Sequence, residues 1–378
     1  MKIACISPSL IPSTTANSIQ AVKACHALAS LGHTVRLYSP GEGDIRWEDL
    51  TEAYELSSPF EISHIQSNPS LKRYDFIWKS LQASSNWQAD LIYTWLSQCA
   101  WLAGQRGIPS ILEIHDRLTG NMGPWFFRQY LQTKPLKRLL VITRALQNVL
   151  ERQMHRAFDP EVMKIAPNGV DLERYQNLPD VTAARAQLDL PQHFTALYTG
   201  HFYAGRGMDL LMQLAGCLPD ISFVWVGGKP DDVSVWQKKI KSAGILNIVL
   251  TGFVPKMKLP LYQAAGDVLL MPYETAIAGS SGGNSAEICS PMKMFDYLAT
   301  GRVIITSELP VLHEVLNAKN AIFCPPADVE AWATALQSIQ QGPVRAASLG
   351  NQARQDASHY TWRNRAQQAL QGMEETGA

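Results

Sequence analysis

Ser290-Pro291-Met292-Lys293-Met294-Phe295-Asp296-Tyr297-Leu298-Ala299-Thr300-Gly301-Arg302-Val303-Ile304-Ile305 reads as a helix start, a short helix, a stop at Gly301 and a buried strand. A polar Ser/Gly loop over residues 278–285 leads into it. The first amides of a helix have no partner within it and share the positive end of its dipole, so such a start suits an anion such as a diphosphate. Asp296, one turn further in, is placed to accept hydrogen bonds from sugar hydroxyls. Taken alone, the stretch more often means a solvent-facing Lys293 and Asp296 on an ordinary helix.

The same order extends outward. Apolar runs at 194–200, 223–226, 248–251, 268–271, 303–306 and 321–323 alternate with helical segments, and a similar series precedes them at 2–7, 33–39, 91–94, 110–114, 138–142 and 162–166. A helix over 17–31, capped by Asn17 and stopped by Gly32, completes the first βαβ unit. The alternation predicts α/β architecture with parallel sheets covered on both faces, as two doubly wound halves in tandem. Residues 176–192 are polar and punctuated by Pro179 and Pro191, which predicts a linker between a first domain over 1–175 and a second over 193–355. Helices are expected over 328–339 and 346–373. The end of the chain, 356–378, carries Tyr360, Trp362 and Ala366 and is expected to pack back on the first domain.

The length of 378 residues favours two domains over one enlarged core. With 33 basic and 33 acidic side chains the formal net charge is zero, so no whole-molecule field favours nucleic acid. The six cysteines are scattered without a C-x-x-C pair, which argues against a zinc module or a disulfide framework and for a reducing compartment. No stretch is long and apolar enough to span a bilayer, and Pro8 breaks the N-terminal apolar run too early for a signal peptide. The expectation is a cytoplasmic protein.

Open α/β sheets bind ligands beyond the carboxyl ends of their strands. Three predicted strand ends carry polar chemistry: His115-Asp116, the run Gly200-His201-Phe202-Tyr203-Ala204-Gly205-Arg206-Gly207, and the Ser/Gly loop. His115 there can orient a reacting group or simply satisfy a backbone carbonyl. Arg206, between two glycines, can meet phosphate oxygens bidentately or sit in a surface turn. Asp231-Asp232 reads as loop, and no acid-x-acid motif stands in a metal-binding context, so no metal is expected. Trp125-Phe126-Phe127-Arg128-Gln129-Tyr130-Leu131, with Lys134, Lys137 and Arg138, mixes aromatic and basic residues. It suits either a weak peripheral contact with a membrane or a core-facing helix.

Taken together, 200–211, Pro167-Asn168-Gly169-Val170-Asp171, Val226-Gly227-Gly228, Gly252-Phe253-Val254-Pro255, Ala265-Gly266-Asp267-Val268 and the opening stretch resemble the family-four retaining nucleotide-sugar glycosyltransferases of the GT-B fold. Ala16-Asn17-Ser18-Ile19-Gln20, Ile92-Tyr93-Thr94 and Glu113-Ile114-His115-Asp116 resemble a bacterial subset of that family. The resemblance implies two Rossmann-like domains facing a central cleft, with an acceptor site in the first half and a donor site in the second. It makes Arg206 the phosphate-binding cation and puts His201 where relatives carry a second one. Phe253 and Val254 fall on the loop against the base. Asp296 falls on the ribose-binding acid, Met292, Lys293 and Met294 on the amides for the diphosphate, and His115 on the histidine facing the transferred sugar. Two positions depart from the pattern: the first glutamate of the family's pair falls on Ile288, with Glu287 beside it, and the first glycine-rich turn is replaced by Pro12-Ser13-Thr14-Thr15-Ala16-Asn17-Ser18.

The candidate catalytic set is therefore His115, Arg206 and Glu287. The candidate donor-binding set is Asn17, Gly200, His201, Arg206, Gly207, Phe253, Val254, Ser290, Pro291, Met292, Lys293, Met294 and Asp296. The implied reaction is retaining transfer from a nucleotide diphosphate sugar, UDP-linked, to a sugar or lipid-linked acceptor hydroxyl, through a front-face mechanism with no cofactor. A UDP-amino-sugar epimerase of the same fold, a sucrose-phosphate-type synthase and a non-catalytic nucleotide-sugar-binding protein are the alternatives that the residues leave open.

Overall fold

The computed structural model describes residues 1–71, 73–277 and 284–373; most of the Ser/Gly loop, 278–283, lies outside them. The chain forms two compact units, one made of Met1–Asn168 and the chain from Trp362 onward, the other of Gly169–Thr361.

The first unit holds a sheet of seven strands: β1 (Lys2–Ile6), β2 (Thr34–Pro40), β3 (Glu61–Ile65), β4 (Leu91–Thr94), β5 (Ser110–Ile114), β6 (Lys137–Val141) and β7 (Met163–Ile165). Their order is β3-β2-β1-β4-β5-β6-β7, every pairing parallel. The order reverses between β1 and β4, which opens a crevice at their carboxyl ends. Strands β4 and β5 are buried along their whole length, as expected of strands covered by helices on both faces. Strand β3 has no counterpart among the predicted runs. Its Glu61-Ile62-Ser63-His64-Ile65 sits at the sheet edge, half exposed, where alternation with polar residues is tolerated and no apolar run forms.

The second unit repeats the plan with six strands: β8 (Thr195–Gly200), β9 (Ser222–Gly227), β10 (Ile248–Gly252), β11 (Val268–Met271), β12 (Val303–Ser307) and β13 (Ile322–Cys324). The order β10-β9-β8-β11-β12-β13, again all parallel, places the switch point between β8 and β11. Its core is built around Trp225 and Trp332, both inaccessible to solvent. Burial of side chains this size contributes roughly 1.5–3 kcal/mol or more each.

Local chemistry moves several predicted boundaries. The helix expected from Asn17 spans Ala16–Ser30 and is capped by Thr15, whose hydroxyl accepts from the Ser18 amide at 3.4 Å; Asn17 lies exposed in its first turn. The segment expected as a linker contains the helix Val181–Gln187, capped by Asp180. Arg185 of that helix is buried, donates to the Ala265 carbonyl at 2.9 Å and pairs with Asp267, so the segment belongs to the second unit and the division falls earlier, at Asn168/Gly169. The long helix expected over 346–373 is two, Pro343–Ala357 and Trp362–Leu370. Between them the backbone turns to β-type pairing: the Val170 amide donates to the Tyr360 carbonyl at 2.9 Å and Val170 bridges Thr361. Asp231 and Asp232 are not in a loop but in the first turn of the helix Pro230–Ser242, where the dipole favours acids.

Candidate functional site

In the second unit the candidate residues gather at the carboxyl ends of β8 and β11. Gly200 ends β8 at φ +142°, and a Cβ there would meet the Lys293 Nζ at 2.7 Å. Gly207, at φ +70°, opens the helix Met208–Cys217, and a Cβ there would lie 1.9 Å from the Pro272 carbonyl. Only glycine allows the 200–207 loop to lie this close to the segment after β11. Backbone bonds close it further: the Glu274 amide donates to the Gly205 carbonyl at 3.2 Å, and the Gly207 amide to Glu274 Oε1 at 3.3 Å.

Two cations occupy this turn. Arg206 donates from Nη2 to the Tyr203 hydroxyl at 2.6 Å, and its guanidinium lies 4.7 Å and 5.1 Å from the ring centroids of Tyr203 and Tyr273. The Lys293 Nζ is buried with no hydrogen-bond partner among the described residues, 3.9 Å from the Tyr198 ring centroid and 5.5 Å from that of Tyr273. Desolvation, together with the Arg206 charge, pulls the Lys293 amine well below its ordinary range. A cation faced by aromatic rings keeps part of the stabilisation it loses with water, about 1–2 kcal/mol, and the remainder is available to an anion.

Lys293 comes from the first turn of the helix Met292–Thr300, which starts at Pro291 with no side-chain cap and ends at Gly301 in the left-handed conformation. The sequence offered three amides there. The Met294 amide donates to the Pro291 carbonyl at 3.0 Å and its side chain is buried in the core, which leaves Met292 and Lys293 as the amides of this turn for a ligand. Ser290 is buried beside them. Asp296 lies one turn further in. Burial raises its pKa, with Arg174 and Lys256 pulling the other way. Phe253 is 65% exposed after β10 while Val254 is buried. His201 stacks on Tyr203 with centroids 5.4 Å apart, and burial with the charges of Arg206, Lys293 and Lys229 lowers its pKa. Glu287 is exposed and the neighbouring Ile288 buried, so the carboxylate lies on the outer side of this turn. Among the described residues no three His, Cys, Asp or Glu side chains form a group that could hold a metal.

In the first unit His115 follows β5, two residues after Glu113, so both side chains leave the strand on one face. His115 Nε2 bonds Glu113 Oε1, the Tyr93 hydroxyl donates to Oε2, and Arg365 of the helix Trp362–Leu370 reaches both oxygens, Nη2 to Oε1 at 2.6 Å and Nη1 to Oε2 at 3.1 Å. Burial pushes the Glu113 carboxyl up, but the charges of Arg365 and His115 outweigh it and hold it well below the usual carboxylate range. Neither Glu113 nor Arg365 was a candidate from the sequence: the glutamate sits inside an otherwise apolar strand, and its cation comes from 252 residues away.

The same unit carries an aromatic surface. Phe126, Phe127 and Tyr130 of the helix Met122–Leu131 are buried, while Met122 (51% exposed) and Trp125 (41%) face out, joined through Phe126 to Tyr74 (45%) and, one turn on, Trp78 (58%). Arg73, Lys79 and Arg128 lie in the same helices or beside them. No described helix is long and apolar enough to cross a membrane.

Comparison with known proteins follows this division. Residues 19–174 match the family description Glycosyltransferase Family 4, and residues 193–341 match Glycosyl transferases group 1. A GDP-mannose-dependent alpha-(1-6)-phosphatidylinositol monomannoside mannosyltransferase of Mycolicibacterium smegmatis is 27% identical over 218 residues, 55% of this chain and 56% of the relative. The chain thus spans little more than half of that relative's length. Among solved structures, HepE of Anabaena in complex with UDP superposes with a TM-score of 0.75 at 18% identity over 99% of this chain and all of that one. Sucrose-phosphate synthase of Thermosynechococcus elongatus gives 0.76 at 19% identity, covering 99% and 98%. The two parallel sheets with their flanking helices are those of the GT-B fold.

Proposed function

Because this chain belongs to the family-four glycosyltransferases, we propose that it moves a sugar from a nucleoside diphosphate donor, a UDP-sugar, onto a hydroxyl of a sugar or lipid-linked sugar, with retention at the anomeric carbon. The observation that carries this reading is the pair of cations Arg206 and Lys293 at the Gly200 turn, Lys293 with no hydrogen-bond partner among the described residues, beside a helix start. A site of this kind is matched to a dianionic leaving group. The UDP bound in the HepE structure supports the choice of nucleotide.

In the proposed reaction the bond from the anomeric carbon to the diphosphate oxygen breaks and its electron pair leaves with the diphosphate. Arg206, Lys293 and the Met292 and Lys293 amides meet that charge, so no metal ion is assigned a part. The acceptor oxygen bonds the anomeric carbon from the face the diphosphate leaves, and its proton passes to the departing phosphate oxygen. Asp296 takes ribose hydroxyls, Phe253 and Val254 border the base, and His115 meets a hydroxyl of the sugar. The exposed position of Glu287 suits contact with donor sugar hydroxyls rather than nucleophilic attack, since a nucleophile works best in a dry site. The anomeric configuration of the product from an α-linked UDP-sugar tests the reading: an α-glycoside supports it, and a β-glycoside excludes retention.

A second observation bears on the acceptor. Exposed Trp78, Trp125 and Tyr74 beside Arg73, Lys79 and Arg128 make a surface suited to the headgroup region of an anionic membrane, which favours a lipid-linked acceptor met at the cytoplasmic face.

A further inference from the structure

Glu113 is buried in the first unit and both of its oxygens accept hydrogen bonds. Oε1 accepts from His115 Nε2 and lies 2.6 Å from Arg365 Nη2 as an ion pair, and Oε2 accepts from the Tyr93 hydroxyl and Arg365 Nη1. Arg365 is itself fixed: its Nε donates to the Pro167 carbonyl at 3.0 Å and the Ala166 carbonyl at 3.3 Å, and Nη1 lies 3.3 Å from the Tyr93 hydroxyl. The helix that carries it, Trp362–Leu370, packs on Ala16–Ser30. The other ionisable group facing Glu113 among the described residues is the buried Cys25 thiol of the Ala16–Ser30 helix, itself against the buried Cys5 of β1, and Asp116 follows His115 in the chain. Arg365 is therefore the one permanent cation that this set of described neighbours brings to the carboxylate.

An ionised carboxylate only accepts hydrogen bonds. The nitrogen of His115 that meets it must carry the proton, and in the neutral ring the other nitrogen, Nδ1, is then an acceptor. If Glu113 took up a proton it would donate instead, and the tautomer of His115 would invert.

We propose that Arg365 is a positioning residue for the reaction: by holding Glu113 as a bidentate anion it locks His115 in the Nε2–H tautomer, so that Nδ1 accepts a hydrogen bond from a substrate hydroxyl. The inference rests on the reading of His115 as the residue that meets the sugar. It assigns a catalytic task to the end of the chain, whose helix supplies the cation.

The test is the tautomer itself, read by long-range 15N–1H correlation on protein labelled at histidine, with the His115 signal assigned by its loss in His115→Asn. The wild type is expected to show the Nε2–H form at pH 7. Arg365→Met and Arg365→Gln remove the charge. In whichever is folded by thermal unfolding, His115 is expected to lose the Nε2–H form for the Nδ1–H form, with kcat down about 10²-fold and the donor KM within threefold. Arg365→Lys, which restores the charge, is expected to recover the tautomer and most of kcat. A neutral variant that keeps the Nε2–H form would overturn the proposal. Full activity in His115→Asn would instead overturn the reading of His115, and the tautomer result would still stand or fall separately.

Discussion

The Nζ of Lys293 lies 3.9 Å from the centroid of the Tyr198 ring and has no hydrogen-bond partner among the described residues. A buried amine in this position works against folding. Its pKa lies below the unfolded value near 10.4, so the unfolded chain binds more protons than the folded one at lower pH and stability rises with pH toward that value. Substitution Lys293→Met keeps the length of the side chain and removes the charge. At pH 7 it is expected to raise the unfolding midpoint by a few °C and to weaken nucleoside diphosphate binding at least tenfold, as expected where a site stores instability for function. Scanning calorimetry with and without UDP reads both.

Glu113 gives the opposite sign. Its carboxyl is held below the unfolded value near 4.3 by Arg365 and His115, so its contribution is complete above that pH and is lost as pH falls through and below it. Urea unfolding at pH 7 and pH 3.5 is expected to show a smaller loss between the two for Glu113→Gln than for the wild type, with the variant the less stable at pH 7. Equal losses would contradict the assignment.

Much of this could be read from the sequence. The strand runs and the glycine stops pointed to two parallel sheets, because buried parallel strands leave uninterrupted β-branched segments such as Val303-Ile304-Ile305. The edge strand β3 left no such trace, since Glu61 and Ser63 are acceptable where one side meets water. Arg206 and the helix start after Pro291 were legible as local motifs. The weight of Lys293 was not, because its burial depends on Tyr198 and Tyr273 from two other strand ends. Nor was the Glu113–Arg365 pair, whose members are joined by the return of the last helix.

In the proposed reaction Asp296 takes ribose hydroxyls, so it should distinguish nucleotides by their sugar. The wild type is expected to favour UDP over 2′-deoxy-UDP about tenfold, and Asp296→Ala to bind the two within about threefold of each other. Competition titration settles the ratio.

The aromatic surface makes a further demand. Vesicles containing anionic lipid are expected to carry the protein down on sedimentation, neutral vesicles much less, and the double variant Trp78→Ala with Trp125→Ala several-fold less than wild type. Both residues are exposed, so the substitutions should leave the unfolding midpoint nearly unchanged.

The central claim is that the Arg206 and Lys293 turn of the second unit receives a nucleoside diphosphate. Thermal unfolding across a panel of UDP-, GDP- and ADP-sugars tests it most directly, with Arg206→Ala run beside the wild type. The account predicts that UDP-sugars raise the wild-type midpoint by several °C and that Arg206→Ala loses most of the shift, with donor kcat/KM down roughly 10²–10³-fold. No shift with any of the three classes, or a shift that Arg206→Ala retains in full, would contradict it.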